Sequence, residues 1–222
     1  MNKIAKPQKL FRWFCFMAFL WGLIITNKLT HGQPINTAVY LPIVVKGCPL
    51  PPPPAPINKI VFTSTRDGDE EIYTMDQDGS HILRLTNSPG RDYAAKWSPD
   101  HTKIAFTSER NGNEEVYLMN VDGSCQTQLT HNSANDTQPE WSPDGKMIVF
   151  ASDRSGSWGI YTMSATGSNI DRIGTFWGLA PYWSPDGTKI AFTGQSAIYS
   201  VNTDGTNLKN LTPVGMEDSC SV

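Results

Sequence analysis

One block of residues recurs four times along the chain, and this recurrence limits the fold more than any other feature. Ile60-Val-Phe-Thr-Ser64 returns as Ile104-Ala-Phe-Thr-Ser108, Ile148-Val-Phe-Ala-Ser152 and Ile190-Ala-Phe-Thr-Gly194, at steps of 44, 44 and 42 residues. A second block follows in register: Ile72-Tyr-Thr-Met75, Val116-Tyr-Leu-Met119, Ile160-Tyr-Thr-Met163 and Ile198-Tyr-Ser-Val201. Asp78-Gly79, Asp122-Gly123, Thr166-Gly167 and Asp204-Gly205 come next, then Leu85-Thr86, Leu129-Thr130, the divergent Ile173-Gly174, and Leu211-Thr212. Trp97-Ser-Pro-Asp100, Trp141-Ser-Pro-Asp144 and Trp183-Ser-Pro-Asp186 precede the second, third and fourth copies. A period of this length marks an array of supersecondary units that bury their faces against one another.

Each unit reads as four short strands. Ile-x-Phe and Ile-Tyr-x-Met alternate apolar and polar residues with period two, the pattern of half-buried strands. Ser-Pro-Asp-Gly sets a fixed φ at Pro and a permissive one at Gly, as a tight turn requires. Asp-Gly after the Tyr-x-Met strand signals a hairpin. The first strand of a unit ends in Trp, the second is Ile-x-Phe, the third is Ile-Tyr-x-Met and the fourth ends in Leu-Thr. A four-stranded antiparallel unit of this size is one propeller blade. The fold class predicted is all-β: a β-propeller of about four four-stranded antiparallel blades, with units starting near residues 59, 97, 141 and 183. Trp97, Trp141, Trp183, Phe62, Phe106, Phe150 and Phe192 are assigned to the layers between blades. No Trp-Ser-Pro-Asp precedes Ile60, so the first blade lacks its leading strand, and the C-terminal tail is available to complete it.

Pro181-Tyr-Trp-Ser-Pro-Asp-Gly-Thr-Lys-Ile-Ala-Phe192 and Ser152-Asp-Arg154 with Ile160-Tyr161 resemble the repeats of the TolB-like β-propeller family, also described as WD-repeat-like. The resemblance covers residues 59–212. It implies a periplasmic or secreted propeller, often of six blades. The Tol-system protein also carries a separate N-terminal domain, for which this chain has only a short connector.

Residues 1–32 differ from the rest. Lys3, Lys6, Lys9, Arg12 and Lys28 occur without a single acid, and an uncharged apolar stretch runs from Trp13 to Ile25. A basic segment followed by a short apolar one is the layout of a secretory signal, with Thr30 and Gly32 placed for cleavage before Gln33. The alternative is an uncleaved membrane anchor. Residues 33–58 form a Pro-rich linker whose Cys48-Pro-Leu-Pro-Pro-Pro-Pro-Ala-Pro56 run favours an extended spacer. Residues 59–222 hold the repeats. Without the first 32 residues, 13 cations stand against 21 acids. That balance disfavours nucleic acid and anionic membranes as partners. Cys48 and Cys220 flank the repeats, so a bridge between them is one option for tying the two ends together, and three free thiols is the other.

No constellation for catalysis stands out. His31, His81, His101 and His131 have no metal-ligand spacing, and Gly194-Gln-Ser196-Ala197 fails as a nucleophile elbow. No metal or cofactor is expected, and the reading is a non-catalytic protein or peptide binder. The alternative is a polysaccharide-acting or metal-dependent enzyme on the same scaffold. An open ring would also allow self-association. Two sets of residues are candidates for the binding surface. Arg66, Arg110 and Arg154 recur in the loop after the Ile-x-Phe strand, either as a carboxylate-binding rim or paired to turn aspartates such as Asp100, Asp144 and Asp186. Asp92, Tyr93, Asp136, Gln138, Phe176 and Trp177 stand at the entry to the leading strands, where a propeller lines its channel.

Overall fold

The computed structural model describes Cys48 and residues 58–212, all within one compact unit, Pro42–Val222. The expectations for residues 1–32, for most of the linker and for the tail 213–222 with Cys220 fall outside the described residues.

Every described element is a strand, and the strands follow the repeat. The first sheet holds β1 (Lys59–Ser64), β2 (Glu71–Asp76) and β3 (Leu83–Arg84). The second holds β4 (Asp92–Trp97), β5 (Lys103–Ser108), β6 (Glu115–Asn120) and β7 (Thr127–Gln128). The third holds β8 (Asp136–Trp141), β9 (Met147–Ser152), β10 (Gly159–Ser164) and β11 (Asp171–Arg172). The fourth holds β12 (Leu179–Trp183), β13 (Lys189–Thr193), β14 (Ile198–Asn202) and β15 (Lys209–Asn210). Each is an antiparallel meander in sequence order. Three sheets are complete, and among the described residues the first has no leading strand, as the missing Trp-Ser-Pro-Asp predicts.

Period-two alternation sends the two faces of each sheet into different cores. Ile104 and Phe106 of β5, with Tyr117 and Met119 of β6, pack against Ile72 and Leu85 of the first sheet. Ala105 and Val116 point the other way and meet Trp141, Ile148, Phe150 and Met163 of the third. Val149 and Ile160 in turn meet Ile190, Phe192 and Val201 of the fourth. Burying one such Phe or Ile side chain contributes about 2 kcal/mol, so each layer holds two neighbouring sheets together. Among the described residues, no strand of the fourth sheet touches a strand of the first.

Local chemistry fixes the strand ends. In each Ser-Pro-Asp turn the Asp accepts from its own turn: Ser98 Oγ to Asp100 at 2.6 Å, Ser142 Oγ to Asp144 at 2.7 Å, and Ser184 Oγ to Asp186 at 2.6 Å. These contacts draw the Asp186 pKa down to about 2, with the hydroxyl of Ser184 the largest cause. The leading strands share an irregularity. Ala94, Gln138 and Ala180 have φ of 53°, 55° and 48°, and the pairing with the next strand shifts register there. Left-handed backbone at a non-glycine residue is strained, so a bulge kept in all three strands is built into the unit.

Cys48 is bonded to Cys125, not to Cys220. Cys125 occupies a left-handed position (φ 56°) in the hairpin between β6 and β7, where His81, Asn169 and Asn207 stand in the other copies. A residue at that turn is only half-buried, so its thiol is accessible to the connector.

Candidate functional site

The loops after β1, β5 and β9 and the entries to the leading strands lie at the same end of the sheets, because antiparallel pairing sets Asp92 opposite Ser108 and Asp136 opposite Ser152. Arg110 and Arg154 follow two residues later, and that register decides their partners. Arg110 Nη2 donates to Asp92 at 2.9 Å, and Arg154 Nη2 donates to Asp136 at 2.8 Å. The predicted pairing with Asp100, Asp144 and Asp186 is therefore corrected: those carboxylates are taken by their own turns, and each arginine serves the leading strand of its own sheet. Asp92 and Asp136 are 0% exposed, so neither presents a carboxylate to a channel ligand. Each guanidinium also lies over two rings: Arg110 over Phe106 and Tyr117 at 5.6 and 4.6 Å, Arg154 over Phe150 and Tyr161 at 5.3 and 4.9 Å.

Arg66 stacks in the same way over Phe62 and Tyr73, at 5.2 and 4.8 Å. Among the described residues its sheet has no leading strand, and its only side-chain hydrogen-bond partner is Ser64 Oγ at 3.0 Å. The fourth sheet solves the same packing problem without charge. Its loop carries no Arg, Gly178 stands where Asp92 and Asp136 stand, and the Phe176 ring stacks on Phe192 at 4.7 Å. A Cβ at Gly178 would lie 2.7 Å from Phe192 and 2.9 Å from Ile160, so the aromatic stack excludes the acid sterically. Phe176 is thus a substitute for the arginine and belongs to the core.

Gln138 is likewise occupied with structure. Its backbone N–H donates to Thr107 Oγ1 at 3.0 Å and its Oε1 accepts from the Ala180 N–H at 2.8 Å, stitching three successive sheets. Tyr93 is half-buried, and its hydroxyl donates to Glu114. Burial first, and the Glu114 bond second, push the Tyr93 pKa well above the ordinary tyrosine value. Trp177 is half-buried at the same rim, beside the entry to β12.

The structure brings together a group of residues that motif reading passed over. A cleft of about 450 Å³ opens between the second and third sheets at this rim, lined by Glu109, Asn113, Glu114, Asn135 and Trp158. Trp158 occupies the position of Glu70 and Glu114 in the earlier copies, so it breaks the repeat at the mouth of the cleft. Arg91 sits beside it with Nε 3.0 Å from both carboxylate oxygens of Glu109, and with Glu70 at 3.6 Å. The Arg91 bonds lower the Glu109 pKa against the opposing effect of burial. Asp153 accepts from the Asn135 N–H at 2.8 Å. Glu70, Glu109 and Glu114 thus surround a single guanidinium, which leaves this corner net negative.

A second cluster joins the three leading strands. Lys96, Glu140 and Tyr182 hold equivalent positions in β4, β8 and β12. Lys96 Nζ lies 3.2 Å from Glu140 Oε2, 3.2 Å from the Tyr182 hydroxyl and 4.7 Å from its ring centroid. Burial raises the Glu140 pKa, with Lys96 opposing. Burial works against the Lys96 ammonium, but Glu140 and Tyr182 outweigh it and hold its pKa above the ordinary value. Among the described residues, no group of three or more His, Cys, Asp or Glu side chains is placed to hold a metal ion.

The TolB beta propeller domain matches residues 109–222, half of the chain. The chain belongs to the TolB beta propeller domain family. The Tricorn protease N-terminal beta propeller domain also matches, over residues 53–154. Among solved structures, a putative TolB from Agrobacterium tumefaciens is 25% identical with a TM-score of 0.66 over 70% of this chain and 61% of its own. TolB from Acinetobacter baumannii is 24% identical with a TM-score of 0.64 over 71% of this chain and 42% of its own. The chain thus spans less than two thirds of the TolB structures it matches. An oligogalacturonate lyase in complex with manganese shares the fold at 15% identity, with a TM-score of 0.54 over 70% of this chain and 49% of its own. No match was found among curated proteins.

Proposed function

We propose that this TolB-family propeller is a non-catalytic, exported module that binds a cationic segment of a protein or peptide at the cleft between its second and third sheets. One observation carries the reading: Trp158 replaces the repeat's glutamate at the mouth of a cleft whose other wall presents Glu109 and Glu114. A half-buried indole beside carboxylates suits a Lys or Arg side chain, which stacks its stem on the ring while its charge meets the acids. The recurring polar residues serve the sheets themselves, so the departure from the repeat is the better guide to a ligand. Export is supported by the basic and apolar N-terminal stretch and by the Cys48–Cys125 bond, since disulfides persist in oxidising compartments.

Calorimetric titration of the full chain with a short Lys/Arg-rich peptide containing one aromatic residue, and with its Glu-substituted counterpart, tests this. Saturable binding of the cationic peptide alone is expected, weakened about tenfold or more by Trp158→Ala. Equal binding of both peptides, or binding indifferent to Trp158→Ala, refutes the site. Turnover of any member of a polysaccharide panel, with or without added divalent metal, refutes the non-catalytic assignment.

A further inference from the structure

One guanidinium already sits against the acids of the cleft, that of Arg91. Its Nε lies 3.0 Å from each carboxylate oxygen of Glu109, and its Nη2 donates to Glu109 as well. Nη1 reaches Glu70 at 3.6 Å and Nη2 reaches Glu114 at 3.9 Å. The same guanidinium lies over the Tyr93 ring, 5.2 Å from its centroid, and the Tyr93 hydroxyl donates to Glu114. Ring and carboxylates thus form the walls of one seat. A planar fork against a carboxylate, with an aromatic face beside it, distinguishes a guanidinium from an ammonium. Glu109 and Glu114 are also the acids of the cleft that Trp158 borders.

The fold does not call for a cation at this point. Asn135 and Asp153 hold the repeat positions of Arg91 and Glu109. Both pairs join through the backbone: the Glu109 N–H donates to the Arg91 carbonyl at 2.9 Å, and the Asp153 N–H to the Asn135 carbonyl at 3.2 Å. Asn135 then completes its contact with neutral donors, its N–H reaching Asp153 at 2.8 Å and its Nδ2 at 3.3 Å. Tyr93 is also peculiar to its copy, with Thr137 and Leu179 at its position in the others. Arg91 and Tyr93 therefore depart from the repeat together, beside the acids of the cleft. The Arg91 side chain is 51% exposed, and ion pairs so exposed hold a side chain only weakly. The arginine can leave its seat without opening the sheets.

We propose, on the reading of the cleft as a site for a cationic segment, that the Arg91 seat is its arginine-selective subsite and that Arg91 keeps it closed until a ligand arginine displaces it. Glu109 accepts one fork at a time, so the ligand guanidinium gains Glu109 and the Tyr93 ring only when Arg91 swings to solvent. A ligand lysine offers no fork and gains less from an empty seat. Arg91 is thus an internal competitor, and the apparent affinity falls by the fraction of molecules whose seat is open. A seat open in about one molecule in ten weakens the ligand about tenfold.

Calorimetric titration of the full chain with all-arginine and all-lysine versions of the cationic peptide tests the proposal, on wild type, Arg91→Gln and Lys146→Gln. Lys146 is 81% exposed in the turn joining β8 to β9, at the end of the third sheet away from Asp136 and Ser152. Its loss changes the net charge equally without touching the cleft. Arg91→Gln is expected to bind the arginine peptide about tenfold more tightly than wild type, and the lysine peptide no more than about threefold more tightly. Lys146→Gln is expected to match wild type within about twofold, because screening removes the effect of a distant charge. No gain for the arginine peptide in Arg91→Gln, an equal gain for the lysine peptide, or an equal gain in Lys146→Gln overturns the proposal. Wild-type binding that still depends on Trp158 leaves the proposed function standing in those cases. Absence of binding by wild type and Arg91→Gln alike overturns both. Nuclear magnetic resonance of the wild type covers the case of a misfolded variant: the Arg91 Nε–H signal is expected to move to a solvent-exposed position as the arginine peptide saturates the cleft, and a signal unchanged at saturation contradicts the proposal.

Discussion

Removing the Arg154 side chain tests whether the recurrent arginines hold the sheets together. Asp136 is fully buried; its Oδ2 accepts from Arg154 at 2.8 Å and from Asn132 Nδ2 at 2.6 Å, while Oδ1 has no partner among the described residues. Arg154→Ala leaves that carboxylate with one neutral donor in a water-free site. Breaking a buried pair from one side costs about 3–5 kcal/mol. Arg154 itself is 23% exposed, which puts the expected loss near the lower end, about 3 kcal/mol. Asp136→Ala should cost less, about 1–2 kcal/mol, because the guanidinium can turn to water and keep its stack on Phe150 and Tyr161. The double variant should cost clearly less than the two added, with a coupling of at least about 1 kcal/mol. The fourth sheet already lacks both charges and packs Phe176 in their place. Urea unfolding followed by tryptophan fluorescence measures all three variants against wild type. A loss below about 1 kcal/mol for Arg154→Ala, or strict additivity in the double variant, would refute the structural role.

Three other outcomes follow from the same contacts. The Cys48–Cys125 bond closes a span of 77 residues, so Cys48→Ser with Cys125→Ser should lower stability by up to about 4 kcal/mol, read as a fall in Tm against the oxidised wild type; an unchanged Tm would contradict it. Gly178→Ala should cost about 1–3 kcal/mol by driving a methyl into Phe192 and Ile160, measured by the same urea titration; an unchanged midpoint would show that the stack yields. The turn aspartates titrate below their ordinary value, Asp186 at about 2, so they favour the folded state fully above pH 3.8 and lose that contribution as pH falls through about 2. Thermal melts should therefore drop between those two values, and Asp186→Asn should flatten its share of the drop; a flat profile there would contradict the assignment.

The repeat made most of the fold legible before any coordinates. Ile104, Phe106 and Met119 fall on one face and Ala105 on the other because side-chain direction in a strand depends only on parity. That the first sheet has three strands among the described residues was equally visible, as an absent Trp-Ser-Pro-Asp. Partner choice was not. Arg110 and Asp92 lie 18 residues apart and meet only because the β4–β5 register places Asp92 opposite Ser108. A turn aspartate nearby looks like a better partner until its own hydroxyls are counted. The disulfide was hidden for a similar reason, since Cys125 sits inside the array and Cys220 is the more symmetric choice for closing it. Trp158 was within reach: it departs from Glu70 and Glu114 as plainly as Phe176 departs from the arginines. Sequence alone cannot say which departure fills a core and which faces a cleft.

In the proposed function, residues that agree with the repeat build the sheets and the departure at Trp158 makes the binding surface. Side-by-side affinities of Trp158→Ala and Trp177→Ala for the cationic peptide test it most directly, with both variants matched to wild type in circular dichroism. The expected result is a loss of about tenfold or more at Trp158 and wild-type affinity at Trp177. Loss at Trp177 with full affinity retained at Trp158 would contradict the account and return the site to the entry of the fourth sheet.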